Sequence, residues 1–193
     1  MDALIQRNNA SVMSRPEEKR TIEWWAKHFD ADVHERFNFQ SPVLDVGCGT
    51  GEKDVLFARA GLEVFGFDAG EFCIEIANKH RKKELPEVGE RLQFCLADAR
   101  EKWPYSDGVF STVFSSDVLE HLPTECNAHF FNEVRRMLKP GGIFLIILPE
   151  GTAFDDPTHL QRFNVGSARQ LIKDFANVQT IVMSQRIHLW GQV

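Results

Sequence analysis

The chain has little that would take it into a membrane or through one. Its longest purely apolar run, Ile143 to Leu148, is far short of the ~20 residues a spanning helix needs. The start, Met1-Asp2-Ala3-Leu4-Ile5-Gln6-Arg7, lacks the basic opening, apolar core and small-residue cleavage site of a secretory leader. Cys-x-x-Cys is also missing. The four cysteines Cys48, Cys73, Cys95 and Cys126 stand far apart and read as reduced, mostly buried small residues, with no disulfide or zinc framework. A cytoplasmic protein is the expectation. Basic excess is absent: 22 Lys and Arg against 28 Asp and Glu give a net charge of −6. That balance argues against a nucleic-acid or anionic-membrane partner. No internal repeat or low-complexity tract is visible.

What is present is the pattern of a doubly covered sheet. Residues 1–15 are polar and unpatterned. From Pro16, with Glu17 and Glu18 in the first turn, a helix is expected; Ile22, Trp25, Ala26 and Phe29 then share one face at 3.6-residue spacing. Val33 to Phe39 extends this layer, and residues 1–40 are expected to form a helical cap ahead of a domain at 41–193. After Pro42, apolar runs at Val43–Val46, Glu63–Phe67, Leu92–Ala97, Val109–Phe114 and Ile143–Leu148 alternate with amphipathic stretches at Glu52–Ala60, Glu71–Lys83 and Glu125–Leu138. Near-continuously apolar strands separated by helices imply a parallel sheet covered on both faces, an α/β sandwich. The tail reads as a helix at Ser167–Phe175 and strands at Val178–Met183 and Ile187–Trp190, a hairpin at one edge.

Three positions carry the first chemistry. Val43-Leu44-Asp45-Val46 runs into Gly47-Cys48-Gly49-Thr50-Gly51, where glycines allow a sharp turn and a close approach of backbone to a ligand. Dinucleotide binders space their glycines Gly-x-Gly-x-x-Gly, which would place the third at Glu52. It stands at Gly51, so a nicotinamide dehydrogenase is disfavoured. Asp68 ends the second strand and can accept two ribose hydroxyls; the alternative is a helix-capping acid. Asp98 ends the third strand and can accept from an adenine amino group, or serve as a turn acid.

Together these residues resemble the class I S-adenosylmethionine (SAM)-dependent methyltransferases, in particular the small-molecule, type 11-like group. Asp45 to Gly51 matches the family's glycine motif, Asp68 its ribose acid and Asp98 its adenine-contacting acid. Leu138-Lys139-Pro140-Gly141-Gly142 matches its turn before strand five. Ser111 departs from the Asp often found before strand four. The resemblance implies a Rossmann-like seven-stranded sheet in the order 3-2-1-4-5-7-6 with strand 7 antiparallel, and SAM as cofactor. It implies cofactor contacts from Asp45, Gly47, Cys48, Gly49, Gly51, Asp68, Ala69, Asp98, Ala99 and Ser116. Asp45 would reach the cofactor's amino group through water.

A methyl acceptor with a hydroxyl must also lose a proton, work suited to histidine. His121, in Asp117-Val118-Leu119-Glu120-His121, and His159, in Asp155-Asp156-Pro157-Thr158-His159, fall in loops at the cofactor end, and with Asp117 form the expected catalytic set. No metal is assigned. An alternative takes Asp117, Glu120 and His121 as one helical face which, with His159, is similar to the Glu-x-x-Glu-His plus distant His that binds a divalent metal in small-RNA 2′-O-methyltransferases. Trp24 and Trp25 are candidates for a lid or acceptor-pocket role. Ser115-Ser116-Asp117-Val118 stands where amine methylases of adenine or glutamine carry an Asn- or Asp-Pro-Pro-Tyr motif, so a small molecule methylated at oxygen is expected. Alternatives are N- or C-methylation, or a silent SAM-binding partner protein. Oligomeric state is left open.

Overall fold

The computed structural model describes residues 5, 6, 10, 14, 21–29, 33–151 and 156–193. The expected helix start at Pro16, and Asp155, lie outside them. Helix α1 (Ile22–His28) is capped by Thr21, whose side chain accepts from the Trp24 N–H at 3.1 Å. A short α2 (Val33–Arg36) follows. Then come β1 (Val43–Val46), α3 (Glu52–Arg59), β2 (Val64–Asp68), α4 (Glu71–Lys83), α5 (Pro86–Gly89), β3 (Leu92–Leu96), β4 (Phe110–Ser116), α6 (Asn127–Met137), β5 (Leu138–Pro149), α7 (Val165–Leu171), β6 (Ala176–Met183) and β7 (Arg186–Gln192). The strands form one sheet ordered β3-β2-β1-β4-β5-β7-β6. All neighbours are parallel except β7, which runs against both β5 and β6.

Alternation along the strands explains why they read as continuously apolar. Side chains point to opposite faces at successive positions, and both faces are covered. Val43, Phe114, Ile143, Leu145 and Ile147 join Val55, Phe57 and Ala58 of α3, with Ile22 and Val33 from the N-terminal helices. Leu44, Val46, Val113, Phe144, Ile146 and Leu148 meet Phe130, Phe131, Val134 and Met137 of α6 and Ala168 of α7 on the other side.

The structure departs from the sequence expectation most at three boundaries, and α5 had no counterpart in it. The turn at Leu138–Gly142 is drawn into β5, since Leu138 pairs with Phe110; the register then shifts, with Gly141 at φ 78°. Helix α6 begins at Asn127, after a 3-10 turn at Thr124–Cys126. Helix α7 starts early because Asn164 and Ser167 form a reciprocal capping box, at 2.9 and 3.0 Å, ahead of the expected start, and it ends at Leu171. Among the described residues no helix is long and apolar enough to cross a membrane.

Candidate active site

The loop from β1 to α3 makes its turn through three left-handed glycines, Gly47, Gly49 and Gly51, at φ 74°, 56° and 78°. The N–H groups of Gly47 and Cys48 both donate to the Phe67 carbonyl, at 2.9 and 3.0 Å, which stitches the loop to β2. Asp68 then pins it. One carboxylate oxygen accepts from Gly49 N at 3.1 Å and the other from Gly70 N at 2.7 Å. Burial raises the Asp68 pKa against the pull of those two amides.

A cavity of 540 Å³ opens above this loop, at the carboxyl ends of the strands, where ligands of open α/β sheets sit. Gly47, Cys48, Gly49, Asp68, Ala69, Asp98, Ala99 and Ser116 line it. Asp45 and Gly51 do not. Gly51 is packed beneath, with Ala77 and Phe94 where a Cβ would stand.

Asp45 is wholly buried and faces Asp54, equally buried. Among the described residues no hydrogen-bond partner meets any of their four carboxylate oxygens. Burial pushes Asp45 up to about 7 and Asp54 well above the usual carboxylate range, each raised further by a neighbouring carboxylate. Asp98 lines the cavity and also holds its own turn: Arg100 N, Nε and Nη2 reach its oxygens at 2.6 to 3.0 Å. A carboxylate offers about four acceptor positions. Arg100 occupies that capacity at Asp98, whereas Asp68 has two positions left for a vicinal diol. Open space over Gly49, with nothing within 4 Å of an added Cβ, and the spare capacity of Asp68 fit a ribosyl cofactor.

The catalytic candidates come from two segments tied together by backbone. Glu120 O accepts from Leu160 N and Gln161 N at 2.7 and 3.0 Å. Gln161 Nε2 donates to the carbonyls of Leu119 and Leu122 at 3.0 and 2.8 Å. This clasp brings His121 and His159 edge to face, with ring centroids 4.9 Å apart. His121 Nδ1 lies 3.0 Å from Thr158 Oγ1, whose own proton goes to Asp156 at 2.6 Å. With that hydroxyl proton committed, the oxygen accepts from Nδ1–H, which leaves His121 Nε2 as the basic nitrogen. Burial, then the neighbouring His159, lowers the His121 pKa. Nε2 stands 4.0 Å from Glu120 Oε1. Burial and the Asp117 charge push Glu120 well up, so this is an approach of two neutral groups and not an ion pair.

Asp117 turns away from the expected helical face. It sits at φ 59°, ahead of a 3-10 turn at Leu119–His121. Arg186 Nε and Nη2 hold its carboxylate at 3.1 and 3.4 Å, and Ser116 Oγ donates at 3.0 Å. Burial raises its pKa, but Arg186 and Lys53 outweigh it and the carboxyl lies below the ordinary range. Ligand atoms of Glu120, His121 and His159 come within 4.8 Å of one another, without Asp117.

Residues 43–142 match the model of the methyltransferase domain. The chain belongs to that family. It is a member of the class I SAM-dependent methyltransferases, a family that takes SAM as cofactor. The methyltransferase is 37% identical over 101 residues to 27-O-demethylrifamycin SV methyltransferase of Amycolatopsis mediterranei, covering 52% of this chain and 35% of that one. It is 32% identical over 119 residues to the ubiquinone biosynthesis O-methyltransferase of Caulobacter vibrioides, covering 61% of this chain and 45% of the relative. The chain thus matches less than half the length of either relative. Among solved structures, a SAM-dependent methyltransferase from Archaeoglobus fulgidus superposes with a TM-score of 0.70 at 19% identity, over 92% of this chain and 97% of that one.

Sequence reasoning gave no role to Lys53, Arg100, Thr158 or Arg186. Lys53, Arg100 and Thr158 sit within two residues of positions already singled out. Arg186 reaches the site only through tertiary pairing, across a sequence gap of 69 residues.

Proposed function

We propose that this methyltransferase alkylates a hydroxyl oxygen of a small-molecule acceptor, with His121 Nε2 taking the proton. The hydrogen-bonded chain Asp156–Thr158–His121 carries this reading, because it fixes the ring of a cavity-lining residue and leaves its Nε2 unprotonated. The names of the two relatives, one an O-methyltransferase and one a methyltransferase of an O-demethyl compound, support oxygen as the acceptor atom. SAM supplies an activated methyl on a sulfonium; the protein has to hold the acceptor in line, exclude water and remove a proton. Gly47, Cys48, Gly49, Asp68, Ala69, Ala99 and Ser116 are proposed as the cofactor's wall, with Asp68 on the ribose. Asp45 and Gly51 shape the loop from below, and Asp98 acts with Arg100 as one unit. Asp117 fixes Arg186 at the cavity edge, and His159 borders the acceptor. Ile5, Trp24 and Trp25 line the same cavity, which supports a capping role for residues 1–40.

Incubation with methyl-labelled SAM and a panel of phenols, alcohols, amines and thiols, followed by mass spectrometry of the products, tests the acceptor class. Exclusive N- or C-methylation would sink the oxygen reading. On the best acceptor, His121→Ala should lower kcat about 100-fold or more while binding of the demethylated cofactor stays within about threefold.

One observation favours a second reading, in which His121 is a metal ligand. Glu120 is fully buried with both carboxylate oxygens unpartnered, and it shares the 4.8 Å cluster with His121 and His159. A divalent ion there would ionise Glu120 and act as a Lewis acid on the acceptor oxygen. Metal analysis of untagged protein, with activity measured after chelation, separates the two; full activity in metal-free protein ends the metal reading.

A further inference from the structure

Among the described residues, three Lys and Arg side chains line the cavity. Arg100 is tied to Asp98 and Arg186 to Asp117. Lys53 has no carboxylate within ion-pair distance among the described residues. Its Nζ rests over the rings of Trp25, Phe29 and Phe114, at 5.5, 5.9 and 5.6 Å from their centroids. An ammonium over aromatic faces keeps its full charge, and from beyond ion-pair distance that charge also lowers the Asp117 carboxyl. Trp25 adds an unmet group: its indole N–H is buried with no acceptor among the described residues, although the residue lines the cavity. An anion entering the cavity at Trp25 would meet both a cation and an unsatisfied N–H donor.

Lys53 lies two residues beyond Gly51, in the first turn of α3, while the groups proposed for the acceptor side, His121, His159 and Asp156, come from other segments. SAM carries an amino-acid tail with a carboxylate of its own. We propose that Lys53 Nζ and the Trp25 indole N–H together bind the carboxylate of the cofactor's methionine tail. The N-terminal helix α1 would then close over the tail because its Trp25 shares the anion with α3. This assignment rests on the cavity being the cofactor site.

Calorimetry with two nucleosides tests it. S-adenosylhomocysteine has the tail; 5′-methylthioadenosine has the same thioether and adenosine without it. Lys53→Met should weaken S-adenosylhomocysteine about tenfold or more and leave 5′-methylthioadenosine within about threefold. Lys53→Arg, which keeps the charge, should recover most of the loss. Trp25→Phe keeps a ring under Lys53 and removes the N–H; it should weaken only the nucleoside with the tail, and it carries the test if Lys53→Met does not fold. Equal weakening of both nucleosides, or unchanged affinity for both, overturns the proposal. Failure of the unaltered chain to bind S-adenosylhomocysteine overturns the cofactor-site reading as well, so the two failures are distinct.

Discussion

Asp45 and Asp54 are buried together beneath the glycine loop, and that burial has a sign. It raises both carboxyls, so the folded state binds more protons than the unfolded chain once pH exceeds about 4, the unfolded value. The stabilisation these groups provide is complete below that pH and is lost as pH rises through the folded value, about 7 for Asp45. Asp54→Asn removes one of the two ionisable groups at nearly the same size. It should raise the thermal midpoint relative to wild type at pH 8 and change it little at pH 5; an equal effect at both would refute the raised pKa values. The His121 shift makes a second claim. A neutral base with a lowered pKa should hold kcat level down to below the ordinary ~6.5 of histidine, with the acid limb of the pH profile lying beneath that value. Both histidines and the glycine loop were legible in the sequence, because short-range spacing marks them. The protonation of Asp45 was not, since it depends on a neighbour one helical segment away that also faces inward.

Between residue and molecule stands the unit β1–loop–α3. Gly47 is the tightest point: a Cβ there would lie 2.3 Å from a Val118 methyl. Val118 leads into the 3-10 turn that carries Glu120 and His121, so crowding at the cofactor loop would displace the proposed base. Gly47→Ala should cost roughly 1–3 kcal/mol of stability from overpacking and left-handed strain, and weaken S-adenosylhomocysteine. Adding Val118→Ala should restore part of both losses, as measured by thermal unfolding and calorimetry. No restoration would mean that φ alone sets the cost. The strands themselves were readable to within two or three residues, with β5 the exception, because burial on both faces leaves no polar face to blur the pattern. Helix ends were read less well where capping decides them, as at Asn164 and Ser167.

For the whole molecule, the order of the sheet puts groups from β1, β2, β4 and β5 around one cavity, and β7 adds Arg186 although it belongs to the far hairpin. The fold class followed from alternation of strand and helix, while the order of strands followed only from the family resemblance. Long-range electrostatic partners had no local signal. Arg186 is the clearest case. An antiparallel strand brings its beginning, not its end, to the edge where parallel strands finish. The two-residue turn before it, Ser184-Gln185, holds both φ angles positive, at 49° and 62°, and so sets which way Arg186 leaves the sheet. Inserting one residue there would slip β7 by one position and send the guanidinium through to the opposite layer. Asp117 would be left beside Glu120 with only Lys53 to oppose their repulsion. The hairpin turn, distant from every glycine of the cofactor loop, is therefore a register screw for the reaction centre. A one-residue insertion should abolish methyl transfer in a protein whose strand content by circular dichroism is nearly unchanged.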